Sequence, residues 1–245
     1  MSAADKKSAL RYAVIGAGMA GVLAAIKLKE RGEEFAVYEK ADRLGGTWRE
    51  NRYPGLTCDV PAHAYTYSFE PYPEWTAFYA NGGEIQTYFE KTAEKYGVMP
   101  HIRFNSEVVS TVWDGDRAVW KLGLVNGDQV EADVVIAASG VLHHTNVPDI
   151  PGLDTFKGHA FHTARWDDEA PIEGAKVGLI GCGSTGIQIV TAINKKVEKL
   201  VHFQRSPQWI MPVEQFQYSE ADREAFRKDP ALMDAIRFSD EYIGS

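Results

Sequence analysis

Cysteine is scarce in this chain: Cys58 and Cys182 are the only two among 245 residues, and no CxxC spacing joins them. Neither a disulfide framework nor a zinc site is therefore expected, and a reduced, cytoplasmic setting is. Long apolar runs are lacking as well. The stretch around Val134 to Ala138 is far too short to span a bilayer, and the opening MSAADKKSAL has no apolar core of a secretion signal. Positive charge is not in excess, with 26 Lys+Arg against 34 Asp+Glu for a net charge of −8. Without a basic stripe nucleic acid is not an expected partner, and without a spanning run no membrane is expected either. What remains is an ordinary globular composition, 44% hydrophobic and 24% charged, long enough for one large domain or two small ones.

Residues Arg11 to Ile15 form an apolar run that ends in Gly16-Ala-Gly18-Met-Ala-Gly21, and a stretch with helical periodicity follows to about Arg31. Gly32 closes that helix, and Glu34 to Glu39 reads as a second, parallel strand ending in an acid. From Asp42 to about Gly83 the chain is rich in Gly, Pro, Tyr and Trp without a sustained period, and loops of that length in compact domains are usually functional. Glu84 to Tyr96 reads as an amphipathic helix. Glu107 to Trp113, Ala118 to Val125 and Gln129 to Ala137 alternate like strands, with hairpin breaks at Asp114-Gly115-Asp116 and Asn126-Gly127, so an antiparallel meander is expected. After a Gly- and Pro-rich crossing at Ser139 to Leu153 the first pattern recurs: strand Lys176 to Ile180, turn Gly181-Cys-Gly183-Ser-Thr-Gly186, helix Ile187 to Asn194, strand Leu200 to Phe203. Residues from Glu214 on are helix-prone, with Phe226, Leu232, Met233 and Ile236 as candidate buried positions.

Each GxGxxG follows a strand and opens a helix, the context in which such glycines cradle a pyrophosphate at the helix N-terminus. Glu39, 18 residues after Gly21, stands where a carboxylate accepts from ribose hydroxyls. Nineteen residues after Gly186 the chain offers Gln204-Arg205-Ser206 instead of an acid, and an arginine there suits the 2′-phosphate of NADP. An acid first and a base second suggest FAD in the first unit and NADPH in the second. A redox cysteine pair after the first helix is missing, which excludes a disulfide reductase. His143-His144 reads as two exposed loop histidines, not a metal site. Cys58 reads as a packed thiol, and the Tyr and Trp residues from Tyr65 to Tyr79 are open to core or substrate-facing roles.

Between the two glycine turns lies Phe156-Lys-Gly158-His-Ala-Phe-His162-Thr-Ala-Arg-Trp166-Asp167. This resembles the FxGxxxHxxxW(P/D) fingerprint of type I Baeyer–Villiger monooxygenases. The likeness continues in Gly45-Gly46-Thr47-Trp48, Arg52-Tyr53-Pro54-Gly55, Cys58-Asp59 and Phe203-Gln204-Arg205-Ser206-Pro207, and so runs from about Tyr12 to Pro212. The implied fold is α/β, with two Rossmann-like dinucleotide-binding domains: an FAD domain with a meander over 1–142, a linker and the first part of an NADP domain over 143–212, and a helical segment over 213–245.

The resemblance implies an FAD- and NADPH-dependent enzyme that places one oxygen atom of O2 next to the carbonyl of a small-molecule ketone, giving an ester or lactone. Gly16, Gly18, Met19, Ala20, Gly21, Glu39 and Lys40 would hold the FAD pyrophosphate and ribose, with Val108 carried over beside them. Gly46, Thr47 and Trp48 would follow the flavin end. Asp59 matches the family's active-site aspartate, which orients a catalytic arginine, and Thr57 and Tyr65 would line the same cavity. Gly181, Gly183, Ser184, Thr185, Gly186 and Gln188 would cradle the second pyrophosphate, with Arg205 and Ser206 on its 2′-phosphate. Phe156, Gly158, His162, Trp166 and Asp167 take the linker role of coupling domain motion to catalysis. The family's arginine belongs to a segment beyond Ser245, so the chain is expected to be an N-terminal part. An N- or S-oxygenating flavin monooxygenase, or a short FAD/NADP-binding protein without oxygenase activity, are the alternatives.

Overall fold

The computed structural model describes residues 10–210 and 212–239. In chain order, strand β1 (Arg11–Ile15), helix α1 (Met19–Glu30) and strand β2 (Glu34–Tyr38) come first, then helices α2 (Thr47–Glu50) and α3 (Gly82–Lys95). Strands β3 (Ile102–Arg103), β4 (Val108–Asp114), β5 (Val119–Leu124), β6 (Gln129–Ala132) and β7 (Val134–Ala137) follow. Strand β8 (Lys176–Ile180), helix α4 (Ser184–Ile193), strand β9 (Lys199–Phe203) and helices α5 (Glu220–Lys228) and α6 (Ala231–Arg237) complete the order. Two compact units result: residues up to Thr47 with Thr87–His144, and Trp48–Gln86 with residues from Thr145 on. Trp48–Gln86, grouped with the 1–142 block on the sequence reading, thus falls in the second unit, as do 213–239.

In the first unit a parallel sheet has the order β3-β2-β1-β7. Helix α1 buries Gly21, Val22, Ala25, Ile26 and Leu28, the i, i+4 spacing of a single apolar stripe. Its lysines Lys27 and Lys29 lie in the last turn, where cations suit the helix dipole. Gly32, at φ +70°, ends it: the Gly32 and Glu33 amides donate back to Lys29 and Leu28 carbonyls at 3.0 and 3.1 Å. The meander β4-β5-β6 is antiparallel, as its two turn signals require. Tyr38 and Ala13 share a core with Leu122, Leu124 and Ala132.

The structure corrects the third expected strand, because Gln129–Ala137 divides at Asp133. The Asp133 amide donates to the Arg11 carbonyl at 2.9 Å, while its carboxylate takes the Arg11 amide at 2.8 Å and two guanidinium bonds at 3.1 Å. That clamp hands the chain over from the meander, in β6, to the parallel sheet, where β7 pairs with β1. Ala118, expected in a strand, instead takes a left-handed φ of +52° as the last residue of the preceding turn.

In the second unit β8 and β9 pair in parallel around α4, and Leu179, Ile189, Ile193 and Tyr53 form its core. The aromatic-rich segment packs inward: Trp75 is fully buried, Tyr67 and Phe78 nearly so, and Phe78 stacks on Phe216 at 4.8 Å. Helix α5 opens with a capping box, Ser219 and Asp222 each bonding the other's backbone amide. Phe226 and Met233 are buried as expected, but Leu232, the next residue round the helix from Met233, is 42% exposed and Ile236 is only half-buried.

Candidate functional site

The same backbone device is built twice. After β1 the Gly16 amide donates to the Tyr38 carbonyl at 2.8 Å, and after β8 the Gly181 amide donates to the Phe203 carbonyl at 3.0 Å. Both glycines are left-handed, φ +96° and +105°, a region an L side chain rarely adopts. Gly21 and Gly186 are demanded by packing. A Cβ on Gly21 would lie 1.9 Å from the Gly16 carbonyl oxygen, and one on Gly186 would lie 2.4 Å from that of Gly181. The middle glycines differ. Gly18 and Gly183 have φ −74° and −67°, open to any residue. A Cβ on Gly183 would meet nothing within 4 Å, and one on Gly18 would meet only Gly46 backbone at ordinary contact. The chain's own packing does not ask for glycine at either place. A bare backbone there leaves room for a phosphate to approach the amides at the helix start, so both turns fit a dinucleotide.

The first turn is lined by further glycine. Gly46, at φ +54°, lies back to back with Gly18, its Cβ position 3.0 Å from the Gly18 Cα, and the Gly45 amide donates to the Ala17 carbonyl at 3.0 Å. Glu39 directly follows β2 and is 6% exposed. Its carboxylate accepts from the Ala17 amide at 2.7 Å and the Ala41 amide at 2.9 Å, which fixes it across the turn. Met19, Ala20 and Lys40 are exposed around this turn, with Lys40 bonded to His143. The His144 ring lies 5.1 Å from that of His143. Among the described residues no group of three or more His, Cys, Asp or Glu is arranged to hold a metal. Val108 opens β4 opposite Leu124 and packs against the meander core.

In the second unit the Trp48 indole N–H donates to the Tyr65 hydroxyl at 3.2 Å, and the rings meet edge to face at 5.5 Å. Burial raises the Tyr65 and Cys58 ionisations above their ordinary values, so Cys58 is a packed thiol and no thiolate nucleophile. Asp59 is exposed. Its Oδ1 accepts from the Gln188 amide nitrogen at 2.7 Å, and the same nitrogen donates to the Thr57 carbonyl at 3.1 Å. The Gln188 amide oxygen accepts from the Tyr53 hydroxyl at 3.0 Å and the Thr57 amide at 3.4 Å. An amide has two N–H donors, and both side-chain N–H groups of Gln188 are bonded to residues 57–59, while Ser184, Thr185 and the first α4 amides stand at the start of the helix.

Arg205 and Ser206 follow β9 in exposed positions, and the Ser206 carbonyl accepts from the Cys182 thiol at 3.2 Å. The fingerprint combines local bonds with packing on the core of the second unit. Phe156 covers Gly158 so closely that a Cβ there would meet the ring at 2.6 Å. His162 Nδ1 accepts from the Ala164 amide at 3.1 Å, Trp166 packs against the Leu179 and Ile189 core and meets Phe161 at 5.2 Å, and Asp167 caps the Glu169 amide at 3.0 Å.

The family described as flavin-binding monooxygenase-like matches residues 9–219. The chain belongs to that family. Among curated relatives of this flavin-binding monooxygenase-like chain, a Baeyer-Villiger monooxygenase of Streptomyces coelicolor is 46% identical over 223 residues, 91% of this chain and 43% of the relative. The crystal structure of cyclohexanone monooxygenase from Rhodococcus sp. Phi1 bound to NADP+ is 37% identical over 91% of this chain and 43% of that one, with a TM-score of 0.83. The crystal structure of OTEMO complexed with FAD and NADP is 32% identical over 97% of this chain and 46% of that one, with a TM-score of 0.84. This chain of the flavin-binding monooxygenase-like family therefore spans less than half the length of those relatives. Among its described residues no helix is long and apolar enough to cross a membrane.

Proposed function

We propose that this chain carries the two nucleotide-binding units of a Baeyer–Villiger-type monooxygenase, with FAD on the first glycine turn and NADPH on the second. The whole protein then inserts one oxygen atom of O2 beside a ketone carbonyl to give an ester or lactone. The observation that carries the reading is the pair of middle glycines, Gly18 and Gly183, which no atom among the described residues requires and a bound pyrophosphate does. The fingerprint between the turns and the likeness to ketone-oxidising relatives support the oxygenase part.

When bound, NADPH supplies hydride to the flavin and the reduced flavin activates O2. The chain's own residues hold and orient. Gly16, Gly18, Met19, Ala20 and Gly21 present amides to the FAD phosphates, Glu39 and Lys40 meet the ribose, Val108 backs the adenosine side, and Gly46, Thr47, Trp48 and Tyr65 follow the isoalloxazine end. Gly181, Gly183, Ser184, Thr185 and Gly186 take the NADPH pyrophosphate, and Arg205 and Ser206 its 2′-phosphate. Thr57 and Asp59 face the reacting region, where Asp59 orients a cation that balances developing negative charge. The fingerprint residues Phe156, Gly158, His162, Trp166 and Asp167 take the linker role of coupling domain motion to catalysis.

Titration of the purified chain with NADP+ by calorimetry tests this. Gly183→Ala is expected to keep the parent's melting temperature and lose at least about tenfold in NADP+ affinity, since the added methyl stands where a charge-assisted hydrogen bond of about 1.5–3 kcal/mol is made. Unchanged affinity would remove the second turn from NADPH binding. In the complete protein, ester formation matched to ketone-dependent NADPH consumption tests the oxygenase step, and NADPH consumption without an oxygenated product refutes it.

A further inference from the structure

Four side chains of the second unit form one directed hydrogen-bond chain. The Thr185 hydroxyl, in the first turn of α4, donates to the Tyr53 hydroxyl at 3.4 Å. Tyr53 donates to the Gln188 amide oxygen at 3.0 Å, and the Gln188 nitrogen donates to Asp59 Oδ1 at 2.7 Å. Every proton points from the glycine turn toward Asp59. Backbone contact stiffens the path: a Cβ on Gly55, which has φ +83°, would lie 2.7 Å from the Gln188 carbonyl oxygen and 2.9 Å from Ala192, so the 53–59 loop lies directly on α4. Tyr53 is itself buried, 7% exposed, in the Leu179 and Ile189 core, and α4 is held to that core by Ile189 and Ile193. The bonds run without a break from the α4 N-terminus to Asp59.

We infer that Tyr53 and Gln188 are positioning residues which make the hold on Asp59 depend on whether the second glycine turn carries its dinucleotide. The inference rests on the reading of that turn as the NADPH site. Thr185 has one hydroxyl proton. A phosphate oxygen at the α4 N-terminus competes for it, and because charge-assisted bonds are the stronger the proton leaves Tyr53. Hydrogen bonds in series polarise one another, so withdrawing the first donor weakens Tyr53 to Gln188 and then Gln188 to residues 57–59. Asp59 is held by the Gln188 amide while the turn is free and becomes available to another donor once NADPH is seated.

The Thr57 amide reports on this link, because it donates to Gln188, whereas its neighbour Cys58 donates to the Ala80 carbonyl at 3.0 Å and serves as the internal reference. The experiment is amide hydrogen exchange by NMR on the 15N-labelled 245-residue chain, with and without saturating NADP+. Expected in the parent are slower exchange at the amides of 183–186, at least about threefold faster exchange at Thr57, the size that loosening one ordinary hydrogen bond gives, and no change at Cys58. In Tyr53→Phe, and in Gln188→Met, NADP+ still slows 183–186 while Thr57 no longer responds. Cys58 and the β5 amides report that each variant is folded, and Tyr53→Phe, which removes one oxygen, carries the test if Gln188→Met fails that check. A Thr57 amide that is silent in the parent while 183–186 respond, or that responds equally in a folded variant, overturns the inference. If 183–186 themselves ignore NADP+ in the parent, the NADPH reading of the turn fails and the inference falls with it.

Discussion

One added carbon at Gly186 or at Gly183 would have opposite consequences, and the difference separates folding from binding. At Gly186 a Cβ would press to 2.4 Å on the Gly181 carbonyl, so Gly186→Ala must push α4 off β8. Overpacking of this kind costs about 1–3 kcal/mol, and a lowered melting temperature by calorimetry is expected. At Gly183, where a Cβ meets nothing within 4 Å, no such loss is expected and only NADP+ affinity falls. Glu39 combines both roles. Its buried carboxylate serves the Ala17 and Ala41 amides, and Glu39→Ala leaves two backbone donors without their acceptor, each costing about 1–3 kcal/mol where water cannot replace it. Glu39→Gln keeps one acceptor oxygen and is expected to fold better, yet it brings N–H donors to where ribose hydroxyls would donate. Flavin retained through gel filtration should therefore fall in both variants, and full retention in Glu39→Gln would take the residue off the ribose.

Helix α5 docks through one ring and one ion pair, and their magnitudes differ. Phe226 is 7% exposed and meets His63 at 4.5 Å and Tyr218 at 5.1 Å, so Phe226→Ala should cost about 3–5 kcal/mol in denaturant unfolding. Arg227 clasps Glu74 with two bonds of 2.6 Å but is well exposed, and Arg227→Ala is expected to cost under about 1 kcal/mol. His63 makes this docking pH-sensitive. It is 3% exposed, neither ring nitrogen has a hydrogen-bond partner among the described residues, and burial lowers its pKa to about 4 from 6.5. The faces packed on it are the Tyr218 and Phe226 rings, which offer no compensating charge. Since the folded state binds the proton less readily than the unfolded chain, stability is full above pH 6.5 and falls as pH drops toward about 4, by about 3 kcal/mol in all. His63→Phe should flatten that slope in melting curves between those pH values, and an unchanged slope would place the titration elsewhere. Nothing in the sequence marked His63, because its burial is made by Tyr218 and Phe226, more than 150 positions away. The elements themselves were legible where a local signal exists: β1 and β8 end where their glycine turns begin, and Gly32 stops α1. Gln129–Ala137 reads as one strand because the clamp that divides it comes from Arg11, 122 positions away in sequence.

For the chain as a whole the two glycine turns were readable, since strand, glycines, helix and following acid or base lie within about 30 residues of each other, the span of a βαβ unit. Their partners across the chain were not. Tyr53 and Gln188 are 135 positions apart, and a side chain's hydrogen-bond partner at that separation is fixed by tertiary packing alone. The family motif could put Gln188 near a phosphate, but not reveal that its two N–H groups are already committed. Two turns that each close on their own strand pair should bind independently, which gives the last prediction. Arg205 stands two residues past β9, exposed, one position beyond the counterpart of the buried Glu39 that follows β2 in the first unit. A 2′-phosphate there gains one or two charge-assisted bonds of about 1.5–3 kcal/mol that NAD+ cannot make, so the parent should prefer NADP+ over NAD+ by about tenfold to hundredfold. Arg205→Ala should bring the two Kd values together by weakening NADP+ and leaving NAD+ within about twofold, whereas damage to the turn would weaken both alike. Combined with Glu39→Gln, the free-energy changes should add to within about 0.5 kcal/mol, flavin loss following Glu39 and lost NADP+ preference following Arg205. Flavin loss in Arg205→Ala alone would mean that the two turns are coupled, and an undiminished NADP+ preference would take Arg205 off the phosphate.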